Sequence, residues 1–419
     1  MAERIFIADK ETLDAVKADT TGILKQLQDA DGKFSNIKRY GVKVNKNDSN
    51  PNTRVTYLYD AADKNPAKMN YSSNAFDFGD WGDVFFVKEN RPVMLNADRT
   101  VAYELNHNDH SKKADGTESD ITDEATALNA MSEFPLIWLC QYEVGNYEYI
   151  IVSDERVDSS YFADAYKRED GSIADHMYMP MYGGSYDGAK LRSLSGKKLM
   201  CNTNAQTEIN RAAANGEGWT IIPWCRRNLL ESLLVILSKS DNLQTKFGRG
   251  VDGTYVNDAA QDYGKVVTGT LDTAGQFFGY NDGTHEVKVF YMEKMWGNRW
   301  DRLVGYISDK AVIKVKMSPP YNLTGEGYTT VCEACKTSGY QKDMLMCRYG
   351  RFVKTVGGSS STYRCDYYYI NTGIVAIARV GGSCNYGAAC GACVDLSSTA
   401  GGAYWDFGAS PSCEQPLAA

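Results

Sequence analysis

The stretch that most constrains the fold lies at residues 223–240. Leu229, Leu230, Leu233, Leu234, Ile236 and Leu237 cover too wide an arc of a 3.6-residue turn for a surface helix. The spacing predicts a helix buried against a sheet, so the surrounding chain has to supply strands. Glu231 interrupts the apolar run, which is also far too short to span a bilayer.

Strand signals are frequent. Val55-Thr56-Tyr57-Leu58-Tyr59 alternates, as does the segment around Val84-Phe85-Phe86-Val87, and Asn96-Ala97-Asp98 marks a turn. Residues 142–152 read as a hairpin about Gly145-Asn146. Asn281-Asp282-Gly283 predicts a second hairpin between Gln276-Phe277-Phe278 and Val287-Lys288-Val289-Phe290-Tyr291. Ile313, Val315 and Met317 share one face of a strand, with Lys314 and Lys316 on the other. Ile374-Val375-Ala376-Ile377 is a short buried strand. Twenty-eight Tyr and 38 Gly against 10 Pro agree with β-rich structure and many tight turns. The expected class is α+β.

Residues 9–29 read as a helix with Asp9 as N-cap. Leu13, Val16, Thr20, Ile23 and Leu27 form a narrow seam that fits either a coiled coil between identical chains or a helix packed on its own domain. Met1-Ala2-Glu3-Arg4 carries no signal-peptide pattern, so synthesis in a cytoplasm is expected. A length of 419 residues implies roughly two to four domains. The expected division is a helix for oligomerisation or attachment at 1–35, β-rich domains at 36–130 and 131–215, and a ligand-binding domain at 216–419. The polar stretch 106–127 reads as a solvated loop, and His107, Asp109 and His110 within it only mimic a metal site.

A net charge of -8 leaves no excess of Lys and Arg to neutralise phosphates, which argues against a nucleic-acid binder. There is no Gly-x-Ser-x-Gly elbow and no His-Glu-x-x-His, so no hydrolase constellation stands out. Paired carboxylates of a glycan-trimming enzyme carry no spacing signature, which keeps that activity as a third reading. Gly183 to Gly188 lacks the Lys-Ser/Thr of a phosphate loop. Trp296 and Trp300, four apart, would share a helix face as a core aromatic pair. Of 11 cysteines, Cys332/Cys335 and Cys390/Cys393 form two Cys-x-x-Cys pairs. They lack knuckle endings and lie far apart, so free thiols, several in surface loops, are expected and no metal or other cofactor.

Charge disappears abruptly near the C-terminal end. Between Val380 and Cys413 only Asp395 and Asp406 are charged, on a glycine-rich frame of small, polar and aromatic residues. Such a segment suits contact rather than chemistry.

The Leu-rich helix after Gly216, the Trp296-Gly297-Asn298-Arg299-Trp300 run, and Gly381-Gly382-Ser383 followed by Gly408 resemble the C-type-lectin-like domain of bacteriophage receptor-binding proteins. More closely, residues 216–419 look like the variable target proteins of diversity-generating retroelements. In that family adenine-directed mutagenesis acts mainly on AAC and AAT codons, which cannot become Lys, Glu, Gln, Met or Trp, and from Ser383 to Phe407 every residue except Trp405 is reachable. The chain departs from the family where Cys384 and Ala409 replace the Trp and Arg of one branch, and it lacks the calcium-lectin signatures.

The resemblance implies a virion-associated, non-enzymatic receptor-binding protein, made in the host cytoplasm and carried on a phage tail or surface. Its implied partners are a host cell-surface receptor and other virion proteins, in a homotrimer, with no nucleic acid and no membrane insertion. The surface at 383–407 would present Ser383, Cys384, Asn385, Tyr386, Asp395, Ser397, Tyr404, Asp406 and Phe407, with Trp405 as an anchor beneath. The alternative is a structural decoration or baseplate protein.

Overall fold

The computed structural model describes residues 37–253, 267–359, 362–364, 366–387 and 390–417. The helix expected at 9–29, with its seam at Leu13, Val16, Ile23 and Leu27, lies outside them. The described chain is mostly β-sheet with few helices, which fits the α+β class only loosely.

The Leu-rich helix forms at Trp224–Ser238, preceded by an extended Pro223 and ended by Lys239 in the left-handed region (φ 51°). Its seven aliphatic side chains, Val235 and those at 229, 230, 233, 234, 236 and 237, are all buried, each stabilising by about 1.5–3 kcal/mol. The polar residues it buries are paired. Arg226 donates to Glu414 (2.7 Å) and Ser412 Oγ (2.6 Å), Arg227 to Glu231 (2.6 Å), and Asn228 to Gln141 (2.7 Å).

Three sheets surround this helix. An antiparallel sheet runs Val55–Tyr59, Tyr40–Asn45, Tyr147–Ser153, Trp138–Val144. A six-stranded sheet runs Thr220–Ile221, Pro411–Glu414, His176–Pro180, Asn129–Pro135, Arg91–Leu95, Val101–Glu104. The largest runs Thr329–Glu333, Val312–Val315, Trp300–Asp309, Val375–Val380, Val394–Leu396, Tyr367–Ile370, Gly339–Cys347, Gly350–Val356, with Phe407–Gly408 pairing parallel to Trp300–Asp309. One core cluster reaches from Val42 through Leu233 to Leu396, so the segments 36–130, 131–215 and 216–419 share it.

Several expectations are corrected. The Val84–Val87 run forms a helical turn, Phe85–Lys88, instead of a strand: four apolar residues carry no decisive period. The helix Ala205–Ala213, whose Asn204 side chain accepts from the Thr207 N–H at 2.9 Å, was not anticipated. Trp296 and Trp300 are both buried but share no helix; Gly297 (φ 83°) turns the chain between them and Trp300 opens a strand. The stretch 106–127 is not simply solvated. His110 is fully buried beside Lys288 (3.3 Å), and His107 is held by Glu104 and Tyr291 at 2.7 Å each.

Candidate ligand-binding surface

The strand Tyr367–Ile370 alternates, so its three tyrosines divide between two faces. Tyr368 is buried in the core, whereas Tyr367 and Tyr369 are half-buried on the opposite face. Tyr340 sits directly across from Tyr367 in the antiparallel register, with ring centroids 4.9 Å apart. The row continues from Tyr367 to Tyr369 (4.5 Å) and on to Tyr386 (5.5 Å), which packs edge-on against Trp300 (5.4 Å). Burial pushes the Tyr386 phenol up to about 12, so its hydroxyl stays a protonated hydrogen-bonding group at neutral pH.

Beneath and beside the row lies a framework of buried charge. Asp395 pairs across the strands with Tyr369 on one side and Arg379 on the other, and the Arg379 guanidinium binds its carboxylate at 2.6 Å. The same guanidinium lies 3.3 Å from the Phe407 ring centroid. Arg302 donates to the Gly402 carbonyl at 2.8 Å and is paired with buried Glu208. Asp406 accepts from Ser383 Oγ at 2.9 Å while its carbonyl receives the Trp300 N–H at 2.8 Å. Burial raises the Asp406 carboxyl and lowers the Arg379 guanidinium, and Asp395 opposes the second shift.

The nine expected contact residues therefore separate. Asn385 and Tyr404 are exposed, Tyr404 at 54%, and Tyr386 and Ser397 are half-buried. Ser383, Cys384, Asp395, Asp406 and Phe407 are buried, so their side chains support the surface instead of forming it. The physical reason is the pairing of Phe407–Gly408 with Trp300–Asp309, which draws the chain end inward over Arg379. Trp405, expected as the anchor, is only partly buried; Trp300 fills that position. Tyr340, Tyr367 and Tyr369 were missed, although the Tyr-Tyr-Tyr run was a visible signal of a two-faced strand.

The expected surface placement of several free thiols is also corrected. Among the described residues none is exposed, and Cys384, Cys390 and Cys393 are buried, with Cys390 Sγ 3.4 Å from the Ser383 carbonyl. Burial pushes the Cys390 and Cys393 thiols well above their usual range. No group of three or more His, Cys, Asp or Glu that could hold a metal occurs among the described residues, and no helix there is long and apolar enough to cross a membrane. No protein-family model and no curated protein matches the chain.

Proposed function

We propose that the chain is a phage-encoded receptor-binding protein that recognises a host surface through the tyrosine row and the exposed parts of 383–407. One observation carries this reading: half-buried tyrosines 340, 367, 369 and 386 form one connected face, and buried Phe407, in the apolar cluster beneath it, packs against exposed Tyr404 (4.8 Å). Tyrosine gives large contact area at low entropic cost, and exposed Asn385 and half-buried Ser397 add adaptable hydrogen bonding. Buried ion pairs hold this face on a packed sheet, a preorganised base for recognition.

The C-type-lectin-like reading of 216–419 draws support from its ends, which meet as antiparallel neighbours: Thr220 opposite Ser412 and Ile221 opposite Pro411. Under the diversification reading, replaceable positions are Asn385, Tyr386, Ser397 and Tyr404, while buried Asp395, Asp406 and Phe407 keep the fold. Sequencing the DNA beside the gene tests this. A near-copy of the last coding segment, differing at adenines in the exposed codons and accompanied by a reverse-transcriptase gene, is the expected result; absence of both removes the diversification claim. Assembly as a homotrimer on a virion would raise weak single-site affinity through avidity, and light scattering of the full chain reads the copy number.

A further inference from the structure

A cavity of about 760 Å³ opens between Trp219, Tyr321, the Val304 strand and the chain end at Glu414–Leu417, and it shares no residue with the tyrosine row. Its volume falls within the range of small-ligand sites. Ile209, Val304, Trp219 and Tyr321 give it apolar walls, and the Trp219 indole N–H is already committed to the Ala97 carbonyl (2.9 Å).

Arg99 lines this cavity under unusual constraint. It holds a left-handed backbone (φ 70°) in the turn between Arg91–Leu95 and Val101–Glu104, a conformation disfavoured for a residue with a side chain. Its guanidinium lies against Gly218, where a Cβ would fall 2.3 Å from Nη1 and 2.6 Å from Cζ. Yet its hydrogen bonds are poor: Nη1 is 3.3 Å from both the Glu414 carbonyl and Oε1, and Nε has no partner among the described residues. Glu414 is committed to Arg226 at 2.7 Å. Arg168 is likewise occupied, by the carbonyls of Gln415 (2.9 Å) and Pro416 (3.1 Å). Arg99 is thus the least tightly held of the three cavity arginines.

The opposite charge is also free. Glu169 and Glu217 line the cavity, are exposed, and have no ion-pair partner among the described residues. Three arginines against four carboxylates make the lining slightly acidic, which disfavours phosphates and other polyanions. We propose that the cavity takes a small zwitterion with an apolar body, the chemistry of a short peptide: its carboxylate on Arg99, its ammonium towards Glu217 and Glu169, its apolar part between Trp219 and Tyr321.

Calorimetric titration of the full chain with the dipeptide Leu-Phe, its C-terminal amide and its N-acetyl form tests this. Leu-Phe is expected to bind, and blocking either terminus to weaken it roughly tenfold or more. The penalty for amidation should shrink in Arg99→Lys, and that for acetylation in the exposed pair Glu169→Gln/Glu217→Gln, which leaves the fold intact. No heat with millimolar Leu-Phe, affinity indifferent to blocking both termini, or tighter binding of inorganic phosphate would each overturn the proposal.

Discussion

Phe407 illustrates how one buried residue separates support from contact. Its ring is 7% exposed and carries the Arg379 guanidinium on one face, so Phe407→Ala should destabilise by about 3–5 kcal/mol in urea unfolding. Were Phe407 a contact residue, the same change would leave unfolding untouched and weaken binding alone. Arg379→Ala should cost a similar amount, about 3–5 kcal/mol, because it strands buried Asp395 without a counter-charge. Glu286 behaves oppositely. It is fully enclosed, its Oε1 accepts from Asn298 (2.8 Å), and burial pushes its carboxyl from 4.5 up to about 7. The folded state keeps this proton to about pH 7 whereas the unfolded chain releases it near 4.5, so its contribution falls as pH rises through that window. Glu286→Gln should therefore be the more stable protein at pH 8, by roughly 3 kcal/mol, with the gap closing by pH 4. None of these partners is local in sequence, which is why composition marked the low-charge end but not which of its side chains face inward.

Among elements, the tight turn at Phe290-Tyr291 joins Val287–Val289 to Met292–Glu293 with both residues left-handed (φ 51° and 63°), where Asn-Gly is the favoured pair. Phe290 is buried against Phe134 and Phe277, and Tyr291 bonds His107. Relieving the backbone strain gains about 1–3 kcal/mol per residue, but losing buried Phe290 costs about 3–5 kcal/mol, and losing buried Tyr291 adds a burial cost of its own and removes one of the two hydrogen bonds of His107. Replacing the pair by Asn-Gly should thus lower the thermal midpoint. The regular elements were legible beforehand: the 224–238 helix from its Leu spacing, the hairpin about Gly145-Asn146 from its turn residues, and the Val312–Val315 strand from its alternation. The Phe290-Tyr291 turn was not, since tertiary packing overrides turn chemistry there. The helix at 205–213 was hidden for a related reason: only its Asn204 cap, not a strong apolar stripe, announces it.

At the scale of the molecule, the helix 224–238 packs on strands from both ends of the described chain, and Pro411–Glu414 lies between Thr220–Ile221 and His176–Pro180. A fragment of residues 216–419 would expose the helix faces covered by Tyr40–Asn45 and Tyr147–Ser153. It should lose near-UV circular dichroism that the full chain retains, so surface variants belong in the full chain. The sheet order behind this sharing is non-local and left no trace in residue spacing. The central claim is recognition by the tyrosine face, and its most direct measurement is binding of the labelled full chain to a panel of bacterial strains, beside Tyr367→Ser/Tyr369→Ser with an unchanged melting profile. The account predicts that the parent binds a subset of strains and that the variant loses that binding; equal binding by both proteins, or binding to no strain, would contradict it.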